Sequence, residues 1–170
     1  MSEIMINKVA ESGIITIDLE QYFPTEEFVL FDLKDFLFMG LILKEKEFRQ
    51  SLKELDLEAY TNKFVAIACT ADAIIPMWAY MLLASLLQPI AKDVVFGSIQ
   101  EAKKKTIIKN LQKIKKEAFT DMRVVIKGCG EHPIPEEAYL EITKILRPVA
   151  KSIMYGEPCS TVPVFKQAKV

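Results

Sequence analysis

Three short apolar runs, KFVAIACT (63–70), DVVFG (93–97) and MRVVIKGCG (122–130), restrict the folds open to this chain more than any other feature. Each is almost wholly apolar and rich in β-branched residues, and none shows the in–out alternation of a half-solvated strand. Such runs belong to strands covered on both faces. Segments with helical spacing separate them, and another follows the last run. Strands alternating with helices build βαβ units with right-handed crossovers, hence a parallel sheet. The expected strands are 64–69, 93–97 and 122–128 in one sheet, ordered second–first–third with the first central. The expected fold class is therefore α/β. It is a single domain over 1–170, with a small, mostly parallel βαβαβα sheet at 63–170 and an N-terminal strand/helix extension at 1–62.

The intervening helices carry further expectations. No charge occurs from 73 to 90, but Pro76 and Pro89 bracket the stretch and leave about a dozen helical residues. These span roughly 18 Å against a hydrocarbon core of about 30 Å, so the helix belongs in a protein core, with Asp72 as its expected cap. SIQEAKKKTIIKNLQKIKKEAF places Ile107, Leu111, Ile114 and Ala118 on one stripe, opposite a basic face read as solvated. PEEAYLEITKILRPVAKSIMYG reads as a helix running to Gly156. Nearer the start, IITIDL and EEFVLFDL read as strands that pair in a hairpin or end in short helical turns. A helix is expected from Asp35, with Gly40 marking a break in it.

A net charge of −1 supplies no field that would draw nucleic acid or an anionic membrane, and neither is expected as a partner. MSEIMINKVAESG lacks a basic region followed by an apolar core, so no secretory signal is expected. No repeat at solenoid spacing is apparent. Three cysteines, an odd number and far apart, make no disulfide framework, and the reducing cytoplasm is the expected location.

Those cysteines are the candidate site. Cys69 and Cys129 fall at the carboxyl ends of two expected strands, the edge where α/β sheets bind ligands. If those strands are neighbours, the two thiols flank one crevice. Cys159 lies between Pro158 and Pro163; a helix running to Gly156 would carry it to the opposite edge, but Pro148 and Gly156 permit a turn, and EPCSTVP is expected to fold back so that Cys159 approaches Cys129. His132 stands at Cys-x-x-His spacing from Cys129, a zinc-compatible spacing. Lys127 lies two residues before Cys129, where its charge would favour a thiolate. Against this stands the plain alternative, in which the thiols are small packed hydrophobes and the glycines around Cys129 only turn the chain.

LKDFLFMGLILKEKEFR, ACTADAIIPMWAYMLLA, VVIKGCG and MYGEPCSTVP together resemble the domain of unknown function 2480 family of Bacteroidetes. The resemblance implies no established activity; it implies an association with genes of iron–sulfur cluster assembly. The leading expectation is a small cytoplasmic protein that binds zinc or an iron–sulfur species through Cys69, Cys129, Cys159 and His132. It would act as an accessory to cluster assembly, with proteins of that assembly as partners. One alternative is a thiol enzyme or sulfur carrier with Cys129 as nucleophile and Lys127 or His132 activating it. The other is a non-catalytic interaction module with structural cysteines.

Overall fold

The apolar run beginning at Phe64 does form a central parallel strand, with the run at 93–97 beside it as expected but Phe28–Asp32 on its other side in place of the run at 122–128. The computed structural model describes residues 7–9, 13–157 and 159–170. The N-terminal stretch read for a secretory signal otherwise lies outside the described residues. In chain order come β1 (Asn7–Val9), β2 (Ile14–Asp18), β3 (Phe28–Asp32), α1 (Glu45–Glu54), β4 (Phe64–Ala68) and α2 (Met77–Leu87). There follow β5 (Asp93–Phe96), α3 (Ile99–Leu111), β6 (Arg123–Lys127), α4 (Glu136–Leu146), β7 (Ser152–Glu157) and β8 (Ser160–Lys166). The strands form two sheets, ordered β1-β2-β6-β7-β8 and β3-β4-β5. Within the first, β2, β6 and β7 run parallel and β1 and β8 are antiparallel additions. The second is wholly parallel. The chain is thus a mixed α/β protein with small, mostly parallel sheets.

Two expectations fail here for one reason. The run at 122–128 is not in the sheet of 64–69, and IITIDL and EEFVLFDL do not pair as a hairpin. Each N-terminal strand instead starts a parallel sheet of its own, β2 beside β6 and β3 beside β4. Each ends in a short 3-10 turn, Leu19–Tyr22 or Leu33–Phe36, capped by the carboxylate of Asp18 or Asp32. By its contacts the chain divides into two compact units. Unit 1 is Met1–Pro24 with Thr106–Val170, and unit 2 is Thr25–Lys105.

Helix ends also differ from the reading. The helix expected from Asp35 begins only at Glu45, because Met39 and Gly40 take positive φ and turn the chain back, with Phe38 bridging Ile42. Helix α2 starts at Met77 with Pro76 at its cap position, so Asp72 caps nothing there. Helix α3 stops at Leu111, which puts Phe119 rather than Ala118 in the core. Helix α4 stops at Leu146, before Pro148, which has no N–H to continue the ladder. SIMYGE then alternates as strand β7. No helix among the described residues is long and apolar enough to cross a membrane.

The two units repeat one design, which the sequence shows once it is aligned. FVAIACTADAIIPMWAYMLLASLLQPIAKDVVFG (64–97) matches RVVIKGCGEHPIPEEAYLEITKILRPVAKSIMYG (123–156) without a gap. Buried Val65, Ile67, Ala79, Leu83 and Leu87 stand where Val124, Ile126, Ala138, Ile142 and Leu146 are buried. Asn62 and Asp121 both take φ of 57°, and Gly97 (φ 126°), just past β5, is equivalent to Gly156 (φ 116°) near the end of β7. The Asn62 N–H binds the Ile90 carbonyl at 2.9 Å, and the Asp121 N–H binds that of Val149 at 2.9 Å. Separate cores follow. The core of unit 1 centres on Ile17, Leu111, Phe119, Ile142 and Ile153, and that of unit 2 on Phe31, Phe48, Ile67, Leu83 and Leu87. Each fully buried large side chain contributes about 1.5–3 kcal/mol.

Candidate functional site

The three thiols divide between the units. Cys69 follows β4 in unit 2, half-buried against that core, and its thiol lies 3.5 Å from the Ala71 carbonyl. Cys129 follows β6 in unit 1 and is exposed. The premise for a shared crevice, that their strands are neighbours, does not hold. Cys159 is also exposed, in the turn between β7 and β8. Because β7 runs parallel to β6, this turn lies at the same sheet edge as Cys129. The chain does turn back there, through the break at Pro148. Among the described residues, no group of three or more His, Cys, Asp or Glu side chains is placed to hold a metal ion. Cys129, Cys159 and His132 share a sheet edge.

The loop GCG is built by close approach. A Cβ on Gly128 would meet the Tyr139 hydroxyl, and one on Gly130 would meet the Glu20 carboxylate. Neither glycine has a positive φ, so space rather than backbone conformation requires them. Glu20 also accepts the His132 backbone N–H at 2.5 Å, and the His132 ring stacks on Phe23 at 4.5 Å between centroids. His132 thus helps pin the loop to the 3-10 turn after β2.

Around Cys129 the edge is polar. Lys127 bridges Asp18 (3.8 Å) and Glu157 (3.6 Å), joining the carboxyl ends of β2, β6 and β7. Partly exposed pairs of this kind add little stability but hold the lysine in place. The Cys129 Sγ lies 3.6 Å from the Tyr155 hydroxyl, a contact in which either group can donate. Tyr139, in the second turn of α4, meets Tyr155 edge to face with centroids 5.9 Å apart. Hydrogen bonding to Cys129, then the charge of its thiolate and burial, raise the Tyr155 pKa. Burial, then the charges of Tyr155, Cys129 and Asp18, raise that of Tyr139. Both phenols therefore stay protonated well past neutrality and can donate to an anion beside them. Neither tyrosine was singled out from the sequence, where each passes for part of an apolar pattern. The signal that finds them is the repeat, which aligns Tyr139 with Tyr80 and Tyr155 with Phe96.

That alignment separates scaffold from chemistry. Tyr80 and Phe96 keep the edge-to-face pair, with centroids 5.6 Å apart, so the pair itself belongs to the fold. In unit 2, Thr70 stands at the place of Cys129 and binds Asp32 through its hydroxyl (2.5 Å) and its N–H (3.1 Å). Ala68 replaces Lys127, and Phe96 has no hydroxyl. Each aspartate has a lysine at 3.8 Å, Asp18 from Lys127 and Asp32 from Lys34, but in unit 1 the thiol faces a phenol instead of the aspartate. Lys127, Cys129 and the Tyr155 hydroxyl are what unit 1 has and unit 2 lacks.

The lysine-rich face of α3 is partly engaged. Lys105 donates to the Phe96 carbonyl at 2.6 Å, and Lys103 lies 5.8 Å from the Phe28 ring centroid.

Residues 3–167 match the family model described as "Protein of unknown function (DUF2480)". No curated protein and no solved structure matches the chain.

Proposed function

The chain belongs to the DUF2480 family, and from the geometry at the carboxyl edge of its five-stranded sheet we propose a thiol centre in which Cys129 is the nucleophile and carries sulfur. One observation carries this reading. The thiol lies at 3.6 Å from a phenol that stays protonated, where the other copy of the module ties its equivalent residue to an aspartate. When the thiol reacts as thiolate, the Tyr155 hydroxyl is placed to donate to it. In the sulfur-carrying step the thiolate attacks the outer sulfur of a donor persulfide. A new S–S bond forms at Cys129, the donor S–S bond breaks, and the departing thiolate takes a proton from water. The three free thiols support a reducing cytoplasmic setting. Proteins of iron–sulfur assembly, which the family resemblance suggests, are the recipients this reading names.

To test it, reduced protein is incubated with a small persulfide donor and the added sulfur is located by peptide mass spectrometry. Sulfur should gather on Cys129 well ahead of Cys159, although both are exposed. Equal loading of the two, or loading of Cys159 first, removes the proposal.

A further inference from the structure

Beside the thiol of unit 1 lies a cavity of about 340 Å³, within the range of small-ligand sites. Its walls come from β6 (Ile126), β7 (Ile153, Tyr155), β8 (Val164) and α4 (Tyr139, Thr143). Among the described residues, no charged side chain lines it. Of its three hydroxyls, that of Thr143 is committed to the Tyr139 carbonyl at 2.7 Å. The other two point to the reacting group. The Tyr155 hydroxyl touches the Cys129 sulfur, and that of Tyr139 lies against Gly128, next in the chain to Cys129. The two phenols thus stand between an apolar chamber and the thiol.

We infer that this cavity seats the body of the compound with which Cys129 reacts, and that this body is small, uncharged and apolar. The inference rests on the reading of Cys129 as the reacting group and names what that group selects. A charged body would lose its hydration here without gaining a partner, whereas an aliphatic or aromatic group would exchange water for Ile126, Ile153 and Val164. An independent observation supports it. The wall containing Val164 belongs to β8, which has no counterpart in the three-stranded sheet of the other unit. The cavity is thus built partly from what was added to the repeated module, on the side that has the thiol.

The test compares methyl, hexyl and benzyl methanethiosulfonates on the full-length protein, reading the rate at each cysteine by peptide mass spectrometry. In each reaction the thiolate attacks the thiosulfonate sulfur, a disulfide forms and methanesulfinate leaves. The ratio of the hexyl or benzyl rate to the methyl rate should be at least about tenfold higher at Cys129 than at Cys159, as expected for burial of several methylene groups. The hexyl rate should saturate with concentration at Cys129 only. Val164→Trp, at a half-exposed position, should bring the Cys129 ratio down to that of Cys159, while Met81→Trp on α2 leaves it unchanged. Equal ratios at the two thiols, or a ratio indifferent to Val164→Trp, overturn the inference. The methyl rates judge the thiol reading separately, because that reading fails if Cys129 reacts with the methyl reagent no faster than Cys159.

Discussion

Gly128 and Gly130 flank the reactive position because nothing larger fits, and that makes them the most sensitive residues of the site. An ideal Cβ at 128 would collide with the Tyr139 hydroxyl oxygen and stand 3.1 Å from the ring carbon that bears it. Gly128→Ala should therefore destabilise the protein by about 1–3 kcal/mol, the range of an overpacked interior. Because most of the clash is with one oxygen, Tyr139→Phe should restore part of the loss. Denaturant unfolding of both single variants and the double variant gives the coupling; strictly additive effects would mean that the loop strains elsewhere. Cys129 and its neighbour Lys127 were legible as candidates, since a thiol just past a buried strand is conspicuous. The reason for the glycines was not, because their constraint comes from Tyr139 and Glu20, both distant in sequence.

At the level of elements, the sequence marks starts better than stops. Helix α3 begins at a reciprocal capping box. Ser98 Oγ accepts the Glu101 N–H at 3.2 Å, and the Glu101 carboxylate accepts the Ser98 N–H at 2.7 Å. The bond from the Ser98 backbone, then that from its hydroxyl, lower the Glu101 pKa against a small opposing burial effect, with Lys105 and Lys104 assisting. A lowered carboxylate pKa stabilises the fold above the ordinary value of 4.5, and this contribution is lost as pH falls through the folded value. Ser98→Ala should lower Tm by roughly 2–4 °C at neutral pH. The gap should narrow as melts are taken below pH 4.5 and through the lowered folded value, where Glu101 of the unaltered chain also takes up its proton; a gap constant with pH would contradict the role given to the carboxylate. The stops were harder to read. The apolar stripe of α3 continues past Leu111 to Ile114, and only the 3-10 turn Lys116–Phe119 reveals that the chain has left helical phase. At Pro148 the signal was present in the sequence and allowed the return of Cys159 to the edge of Cys129, but the residues after it, read as helix, form strand β7.

For the whole molecule, buried strands showed plainly in the sequence, but the division among sheets did not. Val65, Ile67, Val124 and Ile126 read as strand residues covered on both faces, and all are buried. Nothing local tells β6 that its partner is β2 rather than β4, because apolar strands with similar crossovers fit either sheet. The repeat resolves this: each copy needs its own first strand, and Ile14–Asp18 and Phe28–Asp32 supply one apiece. One copy keeps a threonine, an alanine and a phenylalanine where the other has Cys129, Lys127 and Tyr155. The central claim is that this difference is chemical, and the rate at which limiting iodoacetamide alkylates each cysteine tests it most directly. Peptide mass spectrometry at neutral pH should show Cys129 reacting faster than Cys159 in the unaltered protein. Tyr155→Phe, which leaves the aromatic pair but removes the donor to the thiolate, should slow Cys129 by about threefold or more while Cys159 keeps its rate. Equal rates at the two thiols, and a Cys129 indifferent to the loss of the Tyr155 hydroxyl, would contradict the account.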